Sequence, residues 1–127
     1  MKELGTLITG LPPTLNQSYR VLRFGNKRAG IGLTPEAEAW KERIAWEARS
    51  KFGAVHPRGT YQLRIVQHLN KNSRDVDGNV KLVADGVANG IGINDNRFFR
   101  IELIKVIDGR RCLEICLLQE VGGETLI

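Results

Sequence analysis

Between Tyr61 and Leu69 the chain alternates, with Tyr61, Leu63, Ile65 and Leu69 on one side of an extended backbone. That period of two predicts a half-buried strand. Elsewhere the period lengthens. Ala37, Trp40, Ile44, Ala48 and Phe52 recur at intervals of three and four and form one apolar stripe. The helix that carries it has clear ends: Thr34 as N-cap, Pro35 at the first helical position, Glu36 and Glu38 beside the positive end, and Gly53 as a stop. A second stripe, Val80, Val83, Ala84, Val87 and Ile91, predicts a helix from Asn79 to Asn89 ended by Gly90. Gly86 weakens it, since an interior glycine costs about 1 kcal/mol against alanine.

Shorter segments complete the pattern. Thr6 to Thr9 reads as a strand ended by Gly10 and the Pro12-Pro13 pair. Gly25, Asn26, Ala29 and Gly30 mark a loop or an open hairpin tip, and Glu120 to Ile127 a loose tail. Phe99–Ile107 and Arg111–Leu118 flank Asp108-Gly109-Arg110, a strong hairpin signal. The order of strand, basic loop, helix, strand, helix and strand hairpin gives an α+β class, with two helices on a mixed β-sheet. The 127 residues form one domain, 1–127, with an ordinary 42% hydrophobic and 26% charged content.

No apolar run approaches the ~18–20 residues needed to cross a bilayer, and Met1-Lys2-Glu3 does not open a secretory signal. The expectation is a cytoplasmic protein with no membrane partner. Cys112 and Cys116 sit about 13 Å apart along a strand, too far for a disulfide. They read as small buried hydrophobes rather than zinc ligands, because His56 and His68 stand isolated in the sequence.

Charge changes the picture. Residues 1–74 hold 13 Lys/Arg against 5 Asp/Glu, a balance of +8, and residues 75–127 hold 6 against 9, a balance of −3. A basic half suits a polyanion, although uneven charge on a solvated surface is the plainer reading. Between Leu4 and Pro35 there is no acid, whereas Arg20, Arg23, Lys27 and Arg28 lie among Tyr19 and Phe24. Such a segment can track a nucleic-acid backbone and stack on bases, and it equally fits a plain surface hairpin. Trp46 falls off its helix stripe and is a candidate for a partner surface.

Asp75 and Asp77 stand where a strand gives way to a helix. In extended backbone such a pair points to one side, and magnesium typically takes one or two carboxylates plus waters and phosphate oxygens. Ordinary turn chemistry also uses these residues. Lys81, four residues after Asp77, falls in the first helical turn above the carboxylates. Asn94-Asp95-Asn96 opens the next strand. If that strand enters beside the first, Asp95 reaches the same end of the sheet, and three converging acids make a metal site.

The run Asp75-Val76-Asp77-Gly78-Asn79-Val80-Lys81, then Asp85, then Asn94-Asp95-Asn96-Arg97-Phe98, resembles the central motif of the RusA endonucleases. The opening Pro12-Pro13-Thr14-Leu15-Asn16-Gln17-Ser18-Tyr19-Arg20 is similar to that family's first motif. The resemblance implies a RusA-like fold and a homodimeric, magnesium-dependent endonuclease. Such an enzyme cuts four-way DNA junctions symmetrically, in recombination and repair, without a small-molecule cofactor. By matching position, Asp75, Asp77 and Asp95 are the expected metal ligands and Lys81 the basic catalytic neighbour. Asn16, Tyr19, Arg20, Arg23, Lys27, Arg28, Lys71 and Arg74 are the expected DNA-binding residues. Two other functions stay open: a branched- or flap-DNA nuclease without junction preference, and a catalytically silent nucleic-acid-binding module.

Overall fold

The computed structural model describes the backbone of residues 1–24 and 27–120 and their side chains, except those of 22–24 and 27–30. The expectations for the loop around Gly25 and Asn26, and for the tail beyond Glu120, therefore lie outside the described residues.

The chain is α+β. Its strands are β1 (Lys2–Thr9), β2 (Tyr19–Phe24), β3 (Lys27–Leu33), β4 (Tyr61–Leu69), β5 (Phe98–Ile107) and β6 (Cys112–Gln119). Its helices are α1 (Leu15–Ser18), α2 (Pro35–Phe52) and α3 (Val80–Ile91), with a short 3-10 turn at Asp95–Arg97. Four strands make one mixed sheet in the order β1-β6-β4-β5, and β2 and β3 pair separately as a hairpin. No helix among the described residues is long and apolar enough to cross a membrane.

The β4 strand is central. It runs antiparallel to β6 on one side and parallel to β5 on the other. Its core side, Tyr61, Leu63, Ile65 and Leu69, is buried as its alternation predicts, but Gln62 and His68 on the opposite side are buried too. Flanking strands on both edges cover more of a central strand than alternation alone anticipates.

The hairpin expected at Asp108-Gly109-Arg110 does not form. Both β5 and β6 pair with β4 rather than with each other. The turn straddles the end of β4, where the Asp108 and Gly109 amides donate to the Leu69 carbonyl at 3.1 and 3.2 Å. Gly109 takes a φ of 85° there, which suits glycine. Aspartate-glycine set the turn correctly, but sequence carries no sign that a third strand lies between its arms.

Helix α2 begins and ends as its sequence predicts. The Thr34 hydroxyl accepts from the Ala37 amide at 3.3 Å, and the Gly53 amide donates to the Arg49 carbonyl. Ile44 and Ala48 enter the core with Val83, Val87, Ile91, Leu63 and Ile115, and Trp40 and Phe52 pack on its margin. Trp46 stands 77% exposed, as its place off the stripe implies.

Helix α3 runs past its expected stop. Gly90 lies inside it, and Gly92, at a left-handed φ of 81°, caps it by donating to the Ala88 carbonyl. Gly86 and Gly90 are one turn apart and both face α2. A Cβ on Gly86 would collide with Ile44 Cγ2, and one on Gly90 with the Ala45 carbonyl oxygen. Both glycines serve helix approach, which compensates their poor helix propensity.

A methyl group at Gly90 meets backbone that cannot turn aside. Gly90→Ala is expected to lose about 2 kcal/mol of stability, despite gaining about 1 kcal/mol of helix propensity. Urea unfolding with an unchanged m-value checks it. A stabilised variant would show that the two helices are not in close contact.

Candidate functional site

After Leu69 the chain leaves β4 and reaches Asp75 and Asp77 in a turn, not in the extended backbone expected for them. The Gly78 amide donates to the Asp75 carbonyl at 3.2 Å and the Val80 amide to the Asp77 carbonyl at 3.4 Å. Both aspartates are nevertheless exposed on one cavity of about 840 Å³. Asn16, Arg74, Lys81 and Lys105 line the same cavity.

Its wall is built from two segments far apart in sequence. The Arg74 guanidinium donates to the Pro12 carbonyl at 2.6 Å. The Asn79 amide group donates to the Pro13 carbonyl at 2.9 Å and to the Ser18 hydroxyl at 2.6 Å. Ser18 in turn donates to the Thr14 carbonyl at 2.7 Å. Asn79 is 3% exposed, and its φ of 56° is a left-handed conformation that asparagine tolerates better than most residues. Its Oδ1 is buried without a partner. This polar seam clamps Pro12–Ser18, including the unforeseen single turn α1, onto the loop that bears the aspartates.

Lys105 was not singled out in the sequence, yet its ammonium group donates to Asn72 Oδ1 at 2.7 Å and to the Arg74 carbonyl at 3.0 Å. A lysine inside the apolar run Ile101-Glu102-Leu103-Ile104-Lys105-Val106 was the available signal. Burial, together with the nearby charge of Arg111, lowers the pKa of the Arg74 guanidinium. Lys81 sits 3.4 Å from Asp85, one turn along α3.

Asp95 is not brought to Asp75 and Asp77. Because β5 runs parallel to β4, its start lies beside Tyr61, and Asp75 and Asp77 follow Leu69 at the other end of the pair. Helix α3 spans the sheet between them. Asp95 instead lines a separate cavity of about 290 Å³ with Lys41, Asp85 and Asn94. Among the described residues, no three histidine, cysteine or acidic side chains gather in a group that could hold a metal. Burial, and then the neighbouring Asp95 carboxyl, raise the Asp85 pKa against the opposing pull of Lys81.

Of the expected DNA-binding residues, Asn16 and Arg74 line the main cavity. Tyr19 is half-buried at the start of β2, whereas Arg20 and Lys71 are exposed and stand outside the cavity lining. The side chains of Arg23, Lys27 and Arg28 lie outside the described residues.

His68, isolated in sequence, is far from isolated in space. It is 5% exposed, with Nδ1 2.7 Å from Asp108 Oδ2 and Nε2 3.1 Å from Glu114 Oε1. Arg110 also donates to Asp108, whose pKa falls to about 2, chiefly through that bond. The cluster ties the turn after β5 to the end of β4 and has no place in the cavity. Both cysteines are free, Cys116 buried and Cys112 partly so.

No protein-family model matches the chain, and no curated protein is significantly similar to it.

Substitutions at two positions probe this arrangement. Asn79→Ala removes both side-chain bonds and keeps a left-handed φ that alanine resists, so a loss of about 2–4 kcal/mol is expected in urea unfolding. Asn79→Gly should lose about 1 kcal/mol less, since glycine has no such resistance. Equal losses would show that the backbone there is unstrained. For Asp85 the folded pKa is raised, so the native state binds more protons than the unfolded state above the ordinary carboxylate range. Its contribution is therefore a stability that declines as pH rises from about 4 through the raised value. Asp85→Asn should flatten that decline in urea midpoints measured from pH 4 to 7, and an unaltered slope would show that the Asp85 pKa is not raised in the folded state.

Proposed function

We propose that the chain is a RusA-like endonuclease that cuts four-way DNA junctions with magnesium. One observation carries this reading: the seam from Asn79 and Arg74 to Pro12, Pro13 and Ser18. It joins the two segments that resemble the family's motifs into one wall, on a cavity that also holds two carboxylates and three cationic side chains. Turn residues with no shared task would not need a buried link across some sixty positions of chain.

The donor set fits magnesium in its simplest form. Asp75 and Asp77 supply two exposed carboxylates on one cavity, within the one or two that this ion typically takes from protein. Held there, magnesium supplies Lewis-acid polarisation of a phosphoryl oxygen and a water of lowered pKa. The chain's own residues do the rest. Lys105 and Arg74 are fixed by hydrogen bonds, so their positive charge is already aimed and costs little ordering when a phosphate arrives. Lys81, paired at 3.4 Å with Asp85 and otherwise exposed, can swing toward a leaving oxygen.

Asp95 enters this reading through a second copy. Within one chain the third acid of the resembled motif lines a cavity separate from that of Asp75 and Asp77. The β5 strand is an edge, with Phe99, Ile101, Ile104 and Ile107 exposed along it. Long apolar edges are templates for pairing. Antiparallel pairing of β5 with its own copy about a two-fold axis sets the start of each strand beside the end of the other. Asp95 of each chain then approaches the aspartate turn of its partner, and the dimer holds two composite sites for two opposed strands.

Complementation tests both claims. The wild type is expected to nick a labelled four-way junction symmetrically with magnesium, and Asp75→Asn and Asp95→Asn homodimers each to lose at least 100-fold. Co-expressed in equal amounts, the two variants form mixed dimers with one intact site, and cleavage returns to roughly a quarter of wild type. No recovery would place all three acids on one chain. Tight junction binding without cleavage by the wild type would leave only a binding module.

A further inference from the structure

On the far side of the Pro12-Pro13 wall lies a second cavity of about 430 Å³. It is lined by Pro12, Gln17, Glu36, Trp40, Arg43 and Arg74, among others. Arg74 and Pro13 line both this cavity and the one that holds the aspartates. The two spaces thus adjoin, with the Arg74 guanidinium standing between them on the Pro12 carbonyl.

We propose that this second cavity receives one unstacked base of the DNA strand whose phosphate lies over Asp75 and Asp77. The proposal rests on the nuclease reading and gives that site a subsite for the flanking nucleotide. Three features favour a base over an apolar peptide. Trp40 packs its inner part against the core and leaves the remainder to the cavity, so it offers a rigid aromatic surface. Stacking on such a surface is a common device for holding an unpaired base. The rim carries donors and acceptors together: Arg43 and Glu36, and Gln17, whose Oε1 is engaged by the Thr14 amide at 3.2 Å and whose amide nitrogen can donate. Finally, two arginines outnumber one glutamate, which suits a ligand tethered to phosphates. Arg43 is itself steadied by Glu47 at 2.9 Å.

A branched substrate supplies such a base cheaply. Unstacking costs least where the stack is already interrupted, as it is where strands exchange at a crossover point. Cleavage would then favour strands whose base beside the cut can leave the stack, a preference set by Trp40 without any groove reading.

The chain has two tryptophans, and Trp46 is exposed, so Trp46→Phe leaves Trp40 as the sole tryptophan, read by excitation that spares the two tyrosines, in an undisturbed fold. A four-way junction titrated in calcium, to prevent cutting, is expected to quench Trp40 in parallel with the rise in DNA anisotropy. In a second arm, an abasic position next to the cut should weaken binding roughly tenfold for wild type. Trp40→Leu should weaken binding to the intact junction by a similar factor and show no further loss on the abasic one. Junction binding and cleavage with unchanged Trp40 fluorescence, or losses that multiply across the two changes, would overturn the base pocket and spare the nuclease. Absence of any anisotropy change would overturn both.

Discussion

Parallel pairing of β4 with β5 constrains most of what surrounds it. Two parallel neighbours cannot be joined by a tight turn, so the chain must travel back along the sheet before β5 can start. Helix α3 makes that return, and it must lie close to the sheet and close to α2 at once. The glycines at 86 and 90 satisfy the second demand by letting α3 approach the Ile44 and Ala45 positions. The same crossover places the aspartate turn at one end of the strand pair and Asp95 at the other. Helix packing and the distribution of acids therefore follow from one topological fact.

Much of the architecture was legible because local signals and tertiary context agreed. Thr34, Pro35 and Gly53 bound α2 in sequence and in space, and the alternation of Tyr61–Leu69 marked a strand that is indeed there. Misreadings arose wherever the deciding partner was distant in sequence. Aspartate-glycine between two strands signals a turn, but insertion of β4 between its arms is a tertiary matter. Gly90 reads as a helix stop until α2 is known to press on it. The convergence of Asp75, Asp77 and Asp95 was inferred from strands taken to be adjacent. They are adjacent, but their direction sends Asp95 the other way. Lys105 and His68 found partners 33 and 40 residues distant, which no local pattern encodes.

Buried polar groups concentrate where the chain must be held in one arrangement. Asn79 combines a left-handed backbone, two donated hydrogen bonds and an unpartnered oxygen. An unpaired buried acceptor costs about 1–3 kcal/mol, so the seam is expensive relative to an apolar contact of the same size. What it provides is geometry. Apolar packing tolerates slippage, whereas two directed bonds fix where Pro13 and Ser18 lie relative to the aspartate turn. His68 plays a comparable part at the same end of β4, on the opposite side of the sheet, where Asp108 and Glu114 hold its two ring nitrogens.

The separation of acids has an electrostatic logic of its own. Asp85 beside Asp95 has its pKa raised, first by burial and then by that neighbour. A third carboxylate placed permanently beside Asp75 and Asp77 would add repulsion of the same kind to a single folded chain. Dividing the set leaves each chain with two exposed carboxylates on one cavity, while Asp85, beside Asp95, is offset by Lys81 reaching it from that cavity's edge at 3.4 Å. In the proposed dimer the full negative charge gathers only when two chains and a divalent cation meet. Repulsion is then offset at the moment it arises.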